Sequence, residues 1–135
     1  MVLDQKTVKA LAHSLKFREM NQDLISSNLA NQDTPGHKAK RLEFEESLAR
    51  ALDVDDLNQM KVTSEKHFSV GGGGFSNLSP QIVEDSTGPV TLDGNTVDRD
   101  REMALMAENR ILYEANVNLL NKKLSLMKYI LQQEQ

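Results

Sequence analysis

The chain of 135 residues has no cysteine and no tryptophan, only three prolines, and aromatic side chains at 4% of positions. Without cysteine there is no disulfide, no thiolate metal site and no cysteine nucleophile, and the compartment is left open. No uncharged run approaches the roughly 20 apolar residues that a membrane span needs. The opening residues, Met1 to Thr7, lack the apolar stretch of a secretory signal peptide. The expectation is a chain that is cytoplasmic or exported by a route without a cleaved signal. Excess positive charge is missing too: 16 Lys and Arg face 20 Asp and Glu, a formal net charge of -4, which leaves no electrostatic footprint for nucleic acid. With 39% hydrophobic residues, one small domain is the expectation, with little core outside its helical stripes.

What is present is helical periodicity at both ends. Residues 4–32 hold neither proline nor glycine and read as a helix. Asp4 is a candidate cap, with Leu3 and Val8 as a hydrophobic staple. Val8, Leu11 and Leu15 start a seam that Arg18 and Gln22 interrupt before Ile25 and Leu29 resume it. Phe17, Met20 and Leu24 form a second apolar line, so this helix needs more than one neighbour. Thr34-Pro35-Gly36 ends it, because proline restricts its own φ and disfavours helix at the residue before it. Pro35-Gly36 suits the centre of a type II turn. A short helix is expected over residues 41–52, with Phe44, Leu48, Ala51 and Leu52 inward. From about residue 97 to 132, the positions Met103, Met106, Arg110, Tyr113, Val117, Leu120, Leu124, Met127 and Leu131 alternate spacings of three and four, and all but Arg110 are apolar. Asn95 or Thr96 would cap that helix, and Asp98, Asp100 and Glu102 would complement its dipole.

The predicted fold is therefore mainly α: long N- and C-terminal helices pairing as a coiled coil around a Gly-rich, irregular or short-β central segment. The expected divisions are residues 1–52, 53–95 and 96–135. Weak strand pieces fall at 61–63, 67–70 and 89–92, and four glycines at 71–74 read as a flexible linker.

None of the candidate chemical constellations holds together. The glycine run is not followed by the Lys-Ser or Lys-Thr of a phosphate loop. Residues 93–100 carry three aspartates, but the glycine sits at the second position instead of the sixth and no glutamate closes a calcium loop. His13, His37 and His67 lack ligand spacing, and Ser26 and Ser27 lack a visible base. Lys38, Lys40 and Arg41 are answered at once by Glu43, Glu45 and Glu46, which reads as a solvated face or an intersubunit charge patch. No enzyme activity, cofactor, metal, small-molecule substrate or nucleic acid is expected.

The segment Asn28-Leu29-Ala30-Asn31-Gln32-Asp33-Thr34-Pro35-Gly36 resembles the signature of bacterial flagellar rod and hook axial proteins, with His37 in place of the usual Tyr. Tyr113-Glu114-Ala115-Asn116-Val117 resembles the C-terminal signature of the same family. The length, and the segment Leu92-Asp93-Gly94-Asn95-Thr96-Val97-Asp98, are similar to its proximal rod members. The resemblance covers the first fifty residues and the last forty. It implies a structural subunit of the flagellar basal body, exported through the flagellar type III apparatus without signal cleavage. Such a subunit assembles helically into the periplasmic drive shaft that transmits torque. The implied partners are further copies of itself, other rod proteins, the rod-base adaptor, the membrane-ring protein and the export gate. Assembly contacts are then expected from Leu11, Leu15, Ile25 and Leu29 with Asn28 and Asn31 on the first helix. On the last helix they are expected from Met106, Tyr113, Val117, Leu120, Leu124 and Met127 with Asn116. Thr34, Pro35 and Gly36 form the turn. The competing readings are a soluble coiled-coil adaptor and another axial rod component.

Overall fold

The computed structural model describes residues 2–58, 75 and 78–133. Its elements run α1 (Val2–Ala30), β1 (Lys40–Glu43), α2 (Glu45–Asn58), β2 (Gln81–Glu84) and α3 (Arg99–Gln133). The protein is mainly helical, with long terminal helices and a short-strand region between them, as the periodicity predicts. At 1.5 Å per residue the 29-residue α1 and 35-residue α3 are roughly 43 and 52 Å long. They pack side by side and antiparallel, because partners ascend one helix as they descend the other.

α1 is already helical at Val2, so Asp4 lies inside the helix and is not its cap; the side chains of Leu3 and Asp4 fall outside the described set. The helix closes through a shared bond, Asn31 N–H donating to the carbonyls of both Ser27 and Asn28 at 3.1 Å. The turn follows, with His37 N–H donating to the Thr34 carbonyl at 3.2 Å. Gly36 has φ +72°, the left-handed value that the third residue of a type II turn needs.

The strand β1 corrects the expected helix over residues 41–52. Leu42 and Phe44 are both buried while Arg41 and Glu43 face away, a period of two that a short window confuses with a helical start. β1 pairs antiparallel with β2, Arg41 opposite Val83 and Leu42 opposite Ile82. α2 begins only at Glu45 and continues past residue 53. Phe44 and Ala51 are buried as expected, and Leu48 and Leu52 are half-buried. The small core joins one side of α1 to this hairpin: Phe17, Leu42 and Phe44, with Met20, Leu24 and Leu78 against them. The Phe17 and Phe44 rings are tilted at 5.4 Å, and His13 stacks on Phe75 at 5.7 Å.

Residues 89–92 form no strand. The stretch before α3 is held by hydrogen bonds back to the α1–β1 connection, Gly36 N–H to the Asp93 carbonyl at 2.9 Å and Thr96 N–H to the His37 carbonyl at 3.0 Å. The expected strand pieces at 61–63 and 67–70, the glycines at 71–74 and His67 lie outside the described residues.

Candidate functional site

Three features distinguish the helix pair: a buried charged clasp at its turn end, an asparagine holding the loops together, and a polar seam with exposed apolar side chains along the distal half of α3. The clasp is centred on Asn28, 1% exposed, and Glu102, fully buried. Asn28 acts as a surrogate strand for Lys40. Its Oδ1 accepts from the Lys40 N–H at 3.0 Å and its Nδ2 donates to the Lys40 carbonyl at 2.9 Å. The same Nδ2 reaches Glu102 Oε2 at 3.2 Å. Glu102 accepts both terminal nitrogens of Arg41, at 2.9 and 2.5 Å, a bidentate pairing of the strong, geometrically specific kind. Arg41 Nε donates to Asp85 Oδ2 at 3.0 Å, and Arg101 Nη1 meets the same oxygen at 3.1 Å. α1, β1, the end of β2 and α3 are thereby joined by one charge network.

One expectation is corrected here. Arg41 is not part of a solvated or intersubunit basic patch; its guanidinium is spent within the subunit, and Lys38 Nζ donates to the Gly94 carbonyl at 2.8 Å. Glu102 lies in the first turn of α3, as expected for a dipole partner, and also turns inward to Arg41 and Asn28. Burial opposes charge on Arg41, yet hydrogen bonding and attraction from Glu102, then Asp85, raise its pKa above the usual value.

Hydrogen bonding by the Thr87 hydroxyl and N–H, at 2.5 and 2.9 Å, holds the Asp85 carboxyl below the usual carboxylate range. Burial opposes this, and Arg101 and Arg41 add to it. A depressed native pKa contributes stability above the unfolded-state value, lost as pH falls through the native one. Urea midpoints are therefore expected to drop on acidification below about pH 4. Asp85→Asn, less stable than the parent at pH 7, should converge with it there; a constant gap from pH 7 to pH 3 would refute this.

The expected caps of α3, Asn95 and Thr96, do other work. Asp98 Oδ1 caps the helix, accepting from the N–H groups of Asp100 and Arg101 at 3.1 and 3.3 Å. Asn95, 1% exposed, points Nδ2 at the carbonyls of Asn31, Gln32 and Thr34 at 2.9, 3.0 and 2.8 Å, and its Oδ1 accepts from Val97 N–H at 2.7 Å. Thr96 Oγ1 accepts from Ala39 N–H at 2.9 Å. One buried amide thus closes the end of α1 onto the start of α3.

Along the helix pair, Asn21 Nδ2 donates to Asn109 Oδ1 at 3.3 Å, and Asn109 Nδ2 to the Arg18 carbonyl and Gln22 Oε1 at 2.9 and 3.1 Å. Asn116 Nδ2 donates to Ser14 Oγ at 2.7 Å. The line of α3 that faces α1 is consequently polar at its centre.

No family model matches the chain. It is 31% identical over 124 residues to the flagellar basal body rod protein FlgB of Proteus mirabilis, with 89% of each chain covered. It is 36% identical over 114 residues to FlgB of Cereibacter sphaeroides, covering 84% of each. The chain belongs to the FlgB family of flagellar basal body rod proteins. FlgB of Borreliella burgdorferi, 36% identical over 113 residues, matches 78% of this chain and 80% of its own.

In this FlgB-family chain the residues singled out from sequence fall into three groups. Ile25 and Asn28 are buried within the subunit. Leu11, Leu15, Leu29, Asn31, Met106, Tyr113, Asn116, Val117, Leu120 and Met127 are half-buried. Of the half-buried polar ones, Asn31 binds the Ser27 carbonyl at 2.7 Å, Tyr113 donates to Glu19 at 3.2 Å and Asn116 meets Ser14. Leu124 is exposed at 48%, in the company of Leu119, Leu126, Tyr129, Ile130 and Leu131. The turn residues Thr34, Pro35 and Gly36 lie at the surface. Sequence reasoning missed Glu102, Arg41, Asn95 and Asn109 as structural centres; a search for polar residues at heptad spacing on both helices was the signal that could have found Glu102 and Asn109. Among the described residues no helix is long and apolar enough to cross a membrane.

Proposed function

We propose that this chain is a structural, non-catalytic subunit of the proximal rod of the bacterial flagellar basal body. It assembles helically through its terminal helices into the torque-transmitting drive shaft. Membership of a family whose members are named as rod proteins supports the role. The single structural observation that carries the assembly route is the apolar surface on the distal half of α3. Leu119, Leu124, Leu126 and Leu131 are each about half exposed, and burial would stabilise a contact by about 1 kcal/mol apiece. A contact of this kind between unlike faces builds an open helical tube when its rotation does not close. Further copies of the chain, other rod proteins, the rod-base adaptor, the membrane-ring protein and the export gate are the proposed neighbours. Export occurs without a cleaved signal peptide, and the assembled position is the periplasmic rod.

Deleting the gene and imaging isolated basal bodies by electron microscopy tests the role. Membrane rings without a rod, restored by the wild-type gene, are expected; intact rods would leave the chain a soluble coiled-coil adaptor. Leu124→Asp with Leu131→Asp tests the route. Val117 and Leu120 are half-buried, so substitution there disturbs the subunit as well, whereas these two leucines are exposed. The expected result is normal cellular levels and normal helix content with motility lost. Full motility would rule this surface out.

A further inference from the structure

Three of the side-chain hydrogen bonds between the long helices form a column with a fixed period. Asn28, Asn21 and Ser14 descend α1 in steps of seven while Glu102, Asn109 and Asn116 ascend α3 in steps of seven, and each pair is bonded, at 3.2, 3.3 and 2.7 Å. Thr7 and Lys123 occupy the next positions of the same register. Asn28, Ser14, Glu102 and Asn109 are buried. Seven residues make two turns of a coiled helix, so the rungs share one line on each helix. On α3 that line is flanked by Leu105, Leu112, Leu119 and Leu126 on one side and by Met106, Tyr113, Leu120 and Met127 on the other.

The apolar flanks repeat along the helix and are tolerant of sliding and rotation; the rungs are not. A slide of four residues sets Asn109 opposite Ile25 in one direction and Phe17 in the other, burying an amide without a partner. A slide of seven restores polar against polar but takes Glu102 away from Asn28 and Arg41. A polar residue at a seam position specifies register at a cost in stability. We propose that the column of polar rungs selects the register of the α1–α3 pair and the stripe of α3 that α1 covers. The side chains of Met103, Leu124 and Leu131, which α1 leaves exposed, are thereby kept for neighbouring subunits. Only this last consequence rests on the rod reading.

The absence of native cysteine allows a direct test in the full-length chain. Ser14→Cys is combined with Asn116→Cys (in register), with Leu120→Cys (four residues away) or with Lys123→Cys (seven away), and disulfide formation is timed in the purified protein and in isolated basal bodies. The in-register pair is expected to close at least tenfold faster than either other pair. Adding Asn21→Leu with Asn109→Leu, which makes the seam more apolar and should keep the helix signal in circular dichroism, is expected to cut that preference at least fivefold. Asn21→Lys with Asn109→Asp, a rung of different chemistry, is expected to restore it. An unchanged preference in the leucine variant, or no restoration by the Lys–Asp pair, overturns the proposal. Absence of the chain from basal bodies while the purified protein shows the expected pattern counts against the rod reading alone.

Discussion

Glu102→Ala is expected to destabilise the protein by about 3–5 kcal/mol, the cost of removing one partner from a buried ion pair. Glu102 is fully buried and Arg41 is 18% exposed, so truncation leaves a guanidinium in a largely dry site with only Asp85 to balance it. The Asn28 amide loses an acceptor at the same time. Against a total stability of roughly 5–15 kcal/mol for a domain, this is a large fraction. Urea unfolding followed by circular dichroism would show it as a shifted midpoint. Arg41→Met combined with Glu102→Met should recover much of the loss, since it is the unpaired charge that is expensive. A double variant as unstable as the sum of its singles would mean that the pair contributes through packing and not through charge.

Asn95→Asp is the second large effect. The substitution keeps shape and volume but replaces an amide donor by a carboxylate oxygen, facing carbonyls at 2.8–3.0 Å from Asn31, Gln32 and Thr34. Losing the donor and burying a charge against three acceptors is expected to cost on the order of 3 kcal/mol. That corresponds to roughly 10 °C in Tm for a chain of this size. Because the Asn95 amide ties residues 31–34 to the start of α3, trypsin should cleave after Lys38 well before it attacks α1 or α3. A Tm within 2 °C of the parent, with an unchanged cleavage order, would show that water replaces the amide without penalty.

Both residues show why the sequence was only partly legible. The long helices were plain because α1 and α3 contain no proline or glycine and their apolar residues recur at spacings of three and four. The turn was plain because Pro35-Gly36 admits few conformations, and Gly36 adopts the positive φ expected. β2 was not legible. Its four residues, Gln81-Ile82-Val83-Glu84, are a strand by virtue of pairing with β1, some forty positions earlier. The role of Asp98 as cap was likewise concealed, because Asn95 and Thr96 are equally good caps by type and only the fold turns them towards the α1–β1 connection.

The sequence by itself determined that the chain has two long terminal helices, the first of them ended by a sharp turn, and it carried the two motifs by which the axial family is identified. These properties are local: they depend on backbone freedom and on side-chain spacing along one helix. Only the tertiary structure decided which stripe of α3 meets α1. The seam drawn from hydrophobicity ran from Met103 through Met106, Arg110, Tyr113, Val117, Leu120, Leu124 and Met127 to Leu131, yet Glu102, Asn109 and Asn116 face inward while Met103, Leu124 and Leu131 stay exposed. A polar group is costly to bury only when unpaired. Whether a partner exists depends on Asn28, Asn21 and Ser14, about a hundred residues or fewer away in the chain and within hydrogen-bonding distance in the fold.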